Sequence, residues 1–151
     1  MNRSIRLATA ILVAATPTLA SADDIAIVDT QKTVAETVVS LTDAIEGAGA
    51  KVFATVDHGA GARSIDMDIG NSVLVIFGNP KIGTPAMKDN RLAGLHLPLK
   101  VLVFEDADGN TKLAWADPAG VFTQLDGIED DAAYLEKMTG ALRNMTGKAA
   151  E

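Results

Sequence analysis

Two histidines, His58 and His96, are the only imidazoles in the chain, and they bound the chemistry it can offer. His58 with Arg63 pairs a general base with a cation able to neutralise developing negative charge, the minimum for a small proton-transfer enzyme. With Met87 or Met67, an imidazole and a thioether make a soft ligand set suited to copper, and one imidazole alone is an axial ligand for haem. Two histidines cannot build a three-histidine zinc site, and no His-x-His or His-x-x-x-His spacing pre-forms a pair on one element. Cysteine is absent, which removes thiolate nucleophiles, zinc knuckles, iron–sulfur clusters and type 1 copper sites. Asp57 precedes His58, but neighbours on a strand point to opposite faces, so it cannot orient the imidazole toward a nucleophile such as Ser64. The plain reading of both histidines is a polar side chain whose hydrogen bonds are met at a strand end.

The least ordinary stretch is residues 77–87, Phe-Gly-Asn-Pro-Lys-Ile-Gly-Thr-Pro-Ala-Met, with two glycines and two prolines. That density predicts a loop from Gly78 to Met87 that holds one backbone path and presents a site. A shape that served only to end a strand would make Gly83→Ala cost about 1 kcal/mol or more of stability and Thr84→Ala little, whereas a shape that presents a site predicts Thr84→Ala and His58→Ala that fold nearly normally and lose the ligand. Gly78-x-x-x-x-Gly83-Thr84 approaches a phosphate loop, but Thr84 stands where lysine must reach the phosphates. The remaining anion reading is a nest of amides at Gly83 and Thr84 assisted by Lys81. Asp106, Asp108, Asn110 and Asp117 occupy the first, third, fifth and twelfth places of a calcium loop. Thr111 stands where that loop needs glycine, and a hairpin turn explains the same letters. Trp115 is read as a half-buried aromatic closing the sheet edge, or as one wall of a ligand groove. Met138 and Met145 are read as core or dimer-face packing.

These residues need elements to hold them. Residues 25–28 make a short first strand. Thr33 and Glu36 form a capping box ahead of an apolar stripe at Val34, Val38, Leu41 and Ile45, and Gly47 and Gly49 end that helix. Residues 51–56 read as a strand, and 65–69 alternate apolar and acidic side chains as a half-buried strand does. Residues 73–77 and 99–104 are continuous apolar runs suited to central strands. A turn over 106–110 leads to a partner strand over 112–116. Ala132, Leu135, Met138, Leu142 and Met145 give a C-terminal amphipathic helix. Strands joined by tight turns predict an α+β class with an antiparallel sheet of five to six strands and two main helices on one face.

The chain has 151 residues, 48% of them hydrophobic and 22% charged, a balance expected of one globular domain. Acidic residues outnumber basic ones by 20 to 13, a formal charge of −7. Such a surface repels phosphate backbones and anionic lipid, and aromatics at 4% are too few for a base-stacking platform. Nucleic acid is therefore not an expected partner. Arg3 and Arg6, an apolar run over residues 7–15, and Ala20-Ser21-Ala22 spell a secretory signal peptide over residues 1–22. Cleavage after Ala22 leaves a single domain over 23–151, periplasmic or secreted, with no stable membrane anchor.

His58 followed by Ala62, then Phe77-Gly-Asn-Pro80, Gly83-Thr84-Pro85, Met87, Leu97-Pro98-Leu99, Asp108-Gly109 and Asp117-Pro118 resemble the bacterial Domain of Unknown Function 302 family. The likeness runs from about Val34 to Leu125. It implies a curved antiparallel sheet of the TATA-box-binding-protein class with helices on one face, often dimeric, and it implies no established activity. In that family a lysine often stands four to six residues after the histidine, where this chain offers Arg63.

The function expected from these residues is an exported, non-enzymatic module that binds a small ligand, either a small molecule or an anion, in a groove near the Gly78–Met87 loop. Its site residues are His58 as imidazole donor, Arg63 as cationic anchor, Asn79 as amide donor, Gly83 and Thr84 as loop-shaping or nest positions, Met87 as soft contact and Trp115 as apolar wall. No cofactor is expected, with copper or haem through His58 and Met87 as the alternative. The second reading is a small enzyme using His58 as general base with Arg63, and the third a structural or oligomeric scaffold. Unpaired sheet edges and the family likeness make a homodimer the expected assembly.

Overall fold

A computed structural model describes residues 25–151, and the expected leader and its cleavage site lie outside them. The elements run β1 (Ile25–Thr30), α1 (Val34–Gly47), β2 (Lys51–Asp57), α2 (His58–Arg63), β3 (Ser72–Gly78), α3 (Pro80–Asp89), a 3-10 turn (Arg91–Leu95), β4 (Leu99–Glu105), β5 (Thr111–Ala116), α4 (Pro118–Phe122) and α5 (Ala133–Ala150). The fold is α+β: one antiparallel sheet of five strands in the order β1-β5-β4-β3-β2. Strand alternation sends Val75, Phe77, Val101, Val103, Leu113 and Trp115 to one face, where α1 and α5 cover them. The helical stripes follow the spacing: Val34, Leu41 and Ile45 from α1, and Leu142, Met145 and Ala149 from α5, are all buried.

Local signals explain the helix ends. The Glu36 amide donates to Thr33 Oγ1 at 3.3 Å, and the Thr33 amide donates to Glu36 Oε2 at 2.9 Å, which closes the expected capping box. The β4–β5 turn is held by Asp106, whose Oδ1 accepts the amides of Asp108 and Asn110 at 3.0 and 2.9 Å, while Gly109 supplies the positive φ of 81°. Asp117, the last residue of the calcium-like spacing, instead caps α4 and accepts the Thr139 hydroxyl at 2.7 Å.

Two expected elements are corrected. Residues 65–69 are not a strand; they form a turn and irregular chain after α2, and Ile65, Met67 and Ile69 stand exposed. Asp66 adopts a φ of 58°, which breaks an extended path, and Asp57 caps a helix by accepting the Ala60 amide at 2.7 Å. Residues 80–89 are not a loop but α3. Asn79 caps it, and Pro80 sits at its first position, where no amide donor is needed. Pro85 removes one bond from the helix interior, and the short α3 tolerates it.

A third helical contact ties α5 to α3. The Tyr134 hydroxyl donates to Asp89 Oδ2 at 2.8 Å, and burial together with that bond pushes the phenol from 10.0 up to about 12. The raised value means the folded state favours the neutral phenol. Its contribution to stability is complete below pH 10 and is lost as pH rises toward 12. Tyr134 is the chain's single tyrosine, so phenolate absorbance reads it without interference. The expected midpoint is near 12, and Asp89→Ala moves it down toward 10. A wild-type midpoint at 10 would break the α3–α5 tie described here.

Candidate functional site

The antiparallel order brings the start of β2, the end of β3 and the start of β4 to one end of the sheet. There the chain forms an open-sided cavity of about 410 Å³, within the range of small-molecule pockets. Phe53, Phe77 and Gly78 form the sheet side, α3 and the segment from Gly94 to Leu99 form one flank, and Met138, Ala141 and Met145 of α5 form the floor. No lining residue is charged, and the only polar side chains are Asn79 and Thr84. Three of the five methionines, Met87, Met138 and Met145, meet here. Thioethers are polarisable and change rotamer cheaply, so such a wall adapts to apolar guests of differing shape.

Four of the seven expected site residues, Asn79, Gly83, Thr84 and Met87, line this cavity. Their roles change with the helix. Asn79 is no free amide donor: its Oδ1 accepts the Lys81 amide and its Nδ2 donates to the Gly49 carbonyl, each at 3.0 Å. The anion nest is absent because the Gly83 amide donates to the Asn79 carbonyl at 3.0 Å and Thr84 lies in the following helical turn. Gly78 lies in tight space rather than at an unusual angle, since a Cβ there would lie 3.2 Å from the half-exposed Phe53 ring. Gly83 would set a Cβ 3.3 Å from a Leu97 methyl, a flexible neighbour. Gly83 lies within α3, where helix propensity favours alanine over glycine by about 1 kcal/mol, so Gly83→Ala does not carry the loss a loop would impose. Thermal melts of Gly83→Ala are now expected within about 0.5 kcal/mol of wild type.

The other three stand elsewhere. His58 and Arg63 are exposed on α2, at the opposite end of β2 and β3. Six residue steps along β3 separate the two ends by roughly 20 Å. His58 and Met87 therefore do not share a ligand set. Trp115 is 5% exposed and packs beneath β5 in the main core, so it is no wall of this groove. Ser64 donates its hydroxyl to the Gly61 carbonyl at 2.6 Å. His96 lies at the cavity end of the sheet, in a smaller depression of about 140 Å³, with its ring centroid 5.8 Å from that of Phe122. Among the described residues no group of three or more His, Asp or Glu side chains gathers as a metal site.

The α5 residues of the floor escaped the sequence reading because methionine at helical spacing looks the same whether it meets core or cavity. The signal available was Asn-Pro at 79–80. It reads equally as a helix cap followed by a first-turn proline, which would have brought α3 against α5.

Among curated proteins, the chain is 38% identical over 114 residues to "Fluoride-specific ion channel FluC 1" of Brucella suis biovar 1, a match covering 75% of this chain and 45% of that protein. "Fluoride-specific ion channel FluC 2" of Brucella melitensis biotype 1 matches at the same identity and length, over 42% of its own chain. The chain thus spans less than half the length of these relatives, and among its described residues no helix is long and apolar enough to cross a membrane. In fold it is similar to the crystal structure of an uncharacterised conserved DUF302 protein from Bacillus stearothermophilus, with a TM-score of 0.68 at 18% identity, covering 85% of this chain and 97% of that one. The model of the domain of unknown function DUF302 matches residues 26–145, most of the sheet and all the walls of the cavity, and the chain belongs to that family.

Proposed function

We propose that this chain is an exported binding module that holds a small, uncharged, largely apolar molecule in the cavity between α3, α5 and the β2–β3 end of the sheet. The observation that carries the reading is the lining: about 410 Å³ bounded by aliphatic, aromatic and thioether groups, with no charge. An ionic ligand entering it would lose its hydration without a counter-charge, whereas an apolar one gains by leaving water. Thr84 is the one polar side chain of the lining whose hydroxyl has no protein partner among the described residues, so it is the group left to orient a ligand's hydroxyl or carbonyl. The ligand class thereby narrows from a small molecule or anion to a neutral apolar molecule.

The general-base reading has less support, because His58 and Arg63 ride on an exposed helix at the far end from the cavity. The length of the Brucella relatives favours an accessory role, since each joins a segment like this one to further sequence in a single chain. Their channel activity belongs to proteins more than twice the matched length and is not transferred here.

The test uses N-phenyl-1-naphthylamine, a neutral apolar dye whose fluorescence rises out of water. Wild type is expected to bind it, and Ala141→Phe, which fills the floor, to bind it more than tenfold more weakly. His58→Ala is expected to bind as wild type does. A wild type that leaves the dye dark, or an Ala141→Phe variant with unchanged affinity, would overturn the reading.

A further inference from the structure

The smaller depression of about 140 Å³ lies between β4, β5, α4 and α5. Its floor is apolar: Leu99 of β4, Ala116 of β5, Val121 and Phe122 of α4 and Leu142 of α5. His96 and Lys100 are its only polar side chains, and no acid lines it. The neutral ligand proposed for the larger cavity touches neither group.

Both groups are short of partners. The Lys100 ammonium donates to the carbonyls of His96 and Pro98 at 3.3 and 3.1 Å, which occupies two of its three protons and leaves its charge unanswered. Among the described residues no carboxylate pairs with it. Burial lowers the Lys100 pKa below its ordinary value, as happens to an ammonium that loses water without gaining a counter-ion. Asp117, which separates Ala116 from Pro118 in the chain, is committed elsewhere. Its Oδ1 accepts the Ala119 amide at 3.2 Å and the Thr139 hydroxyl of α5 at 2.7 Å. The half-buried His96 ring packs against Phe122 with centroids 5.8 Å apart, and among the described residues neither ring nitrogen has a hydrogen-bond partner. The imidazole expected to have its hydrogen bonds met at a strand end therefore has a donor to spare. One unpaired positive charge and two free N–H donors border a small apolar floor.

We propose that this depression binds a short-chain monocarboxylate, whose oxygens accept from Lys100 Nζ and the His96 ring and whose tail lies against Leu99, Phe122 and Leu142. A bare inorganic anion would meet the apolar floor with no donors there to replace its hydration. A neutral apolar molecule would dry the ammonium further and leave it unpaired. A carboxylate makes a charge-assisted bond with the ammonium, and its alkyl end gains by leaving water. Size sets the tail: about 140 Å³ is the liquid volume of roughly five waters, which admits a carboxylate and about two or three further carbons, as in propionate and butyrate. Leu99 stands in the wall of both sites, but this one takes an anion and does not rest on the reading of the larger cavity.

The chain has two histidines, so two imidazole Cε1–H signals report opposite ends of the sheet, and His58→Ala assigns them. In wild-type protein at pH 7, sodium butyrate is expected to shift the His96 signal saturably and leave that of His58 in place. Sodium chloride at equal ionic strength is expected to shift neither. Affinity is expected to rise about fourfold per methylene from acetate through propionate to butyrate, the value of one buried CH₂. Lys100→Met keeps the stem and removes the charge, and is expected to weaken butyrate binding at least tenfold. Butanol, the neutral counterpart, is expected to bind wild type at least tenfold more weakly than butyrate does. A His96 signal that butyrate does not move would overturn the proposal, and this measurement stands even if Lys100→Met fails to fold. Wild-type affinity in a folded Lys100→Met variant, or butanol binding as tightly as butyrate, would overturn it too, because either removes the carboxylate from the site.

Discussion

Phe77→Ala is expected to cost about 3–5 kcal/mol of unfolding free energy, the largest loss from any single truncation proposed here. Phe77 is 1% exposed, belongs to the main core, and forms part of the cavity wall at the end of β3. Its removal gives up the transfer energy of the ring and leaves a void that cannot collapse. Gly78 follows it with no side chain to fill in, and the neighbouring space already opens into the cavity. At about 4 °C for each kcal/mol in a domain of this size, the melting temperature falls by roughly 12–20 °C. Phe77→Leu keeps most of the volume and is expected to cost about 1.5 kcal/mol or less. Calorimetric melts of the two variants decide the matter. A Phe77→Ala loss below about 1 kcal/mol would mean the sheet and α5 are not packed as described.

Gly59→Val is expected to detach α2 from β3 at a cost of about 2–3 kcal/mol. A Cβ at Gly59 would lie 2.7 Å from the Gly70 carbonyl oxygen and 3.2 Å from the Ser72 amide nitrogen. Both are backbone atoms and cannot rotate aside, so either the helix or the strand must shift. The requirement is for space alone, since Gly59 is not among the residues with positive φ. Hydrogen exchange is expected to show protection lost over residues 58–71, with β4, β5 and α5 unchanged. Gly61→Ala on the same helix meets nothing within 4 Å and is expected to stabilise slightly through helix propensity. Because His58 and Arg63 ride on α2, dye binding at the cavity is expected to survive Gly59→Val. Loss of binding in a folded Gly59→Val variant would restore those two residues to the site.

The expected export rests on none of these contacts. The leader reading over residues 1–22 predicts mature protein beginning at Asp23, and N-terminal sequencing of protein recovered from the periplasm tests it.

What the sequence determined by itself was whatever depends on local spacing. The Thr33–Glu36 box, the α1 and α5 stripes, the Asp106–Asn110 turn, all five strands to within two residues and an antiparallel α+β class of five to six strands are legible, because hydrogen-bonding side chains and apolar periodicity act within one element. Tertiary structure decided the rest. An apolar–acidic alternation at 65–69 becomes a strand only if it pairs with a neighbour, and β2 and β3 pair directly with each other, leaving no place between them for the segment that joins them. Asn79-Pro80 carries helix-start and loop meanings at once, and packing of α3 against α5 selected the helix. The site divided in the same way: Asn79, Gly83, Thr84 and Met87 were found because one short segment carries them, whereas His58 and Arg63 were sent to the opposite end by the antiparallel return of β3. Which methionines face a cavity, and which apolar strand face is left uncovered, is set by how many layers the fold stacks. No local pattern records that number, because the same residues serve a face covered by a further layer and a face left without one.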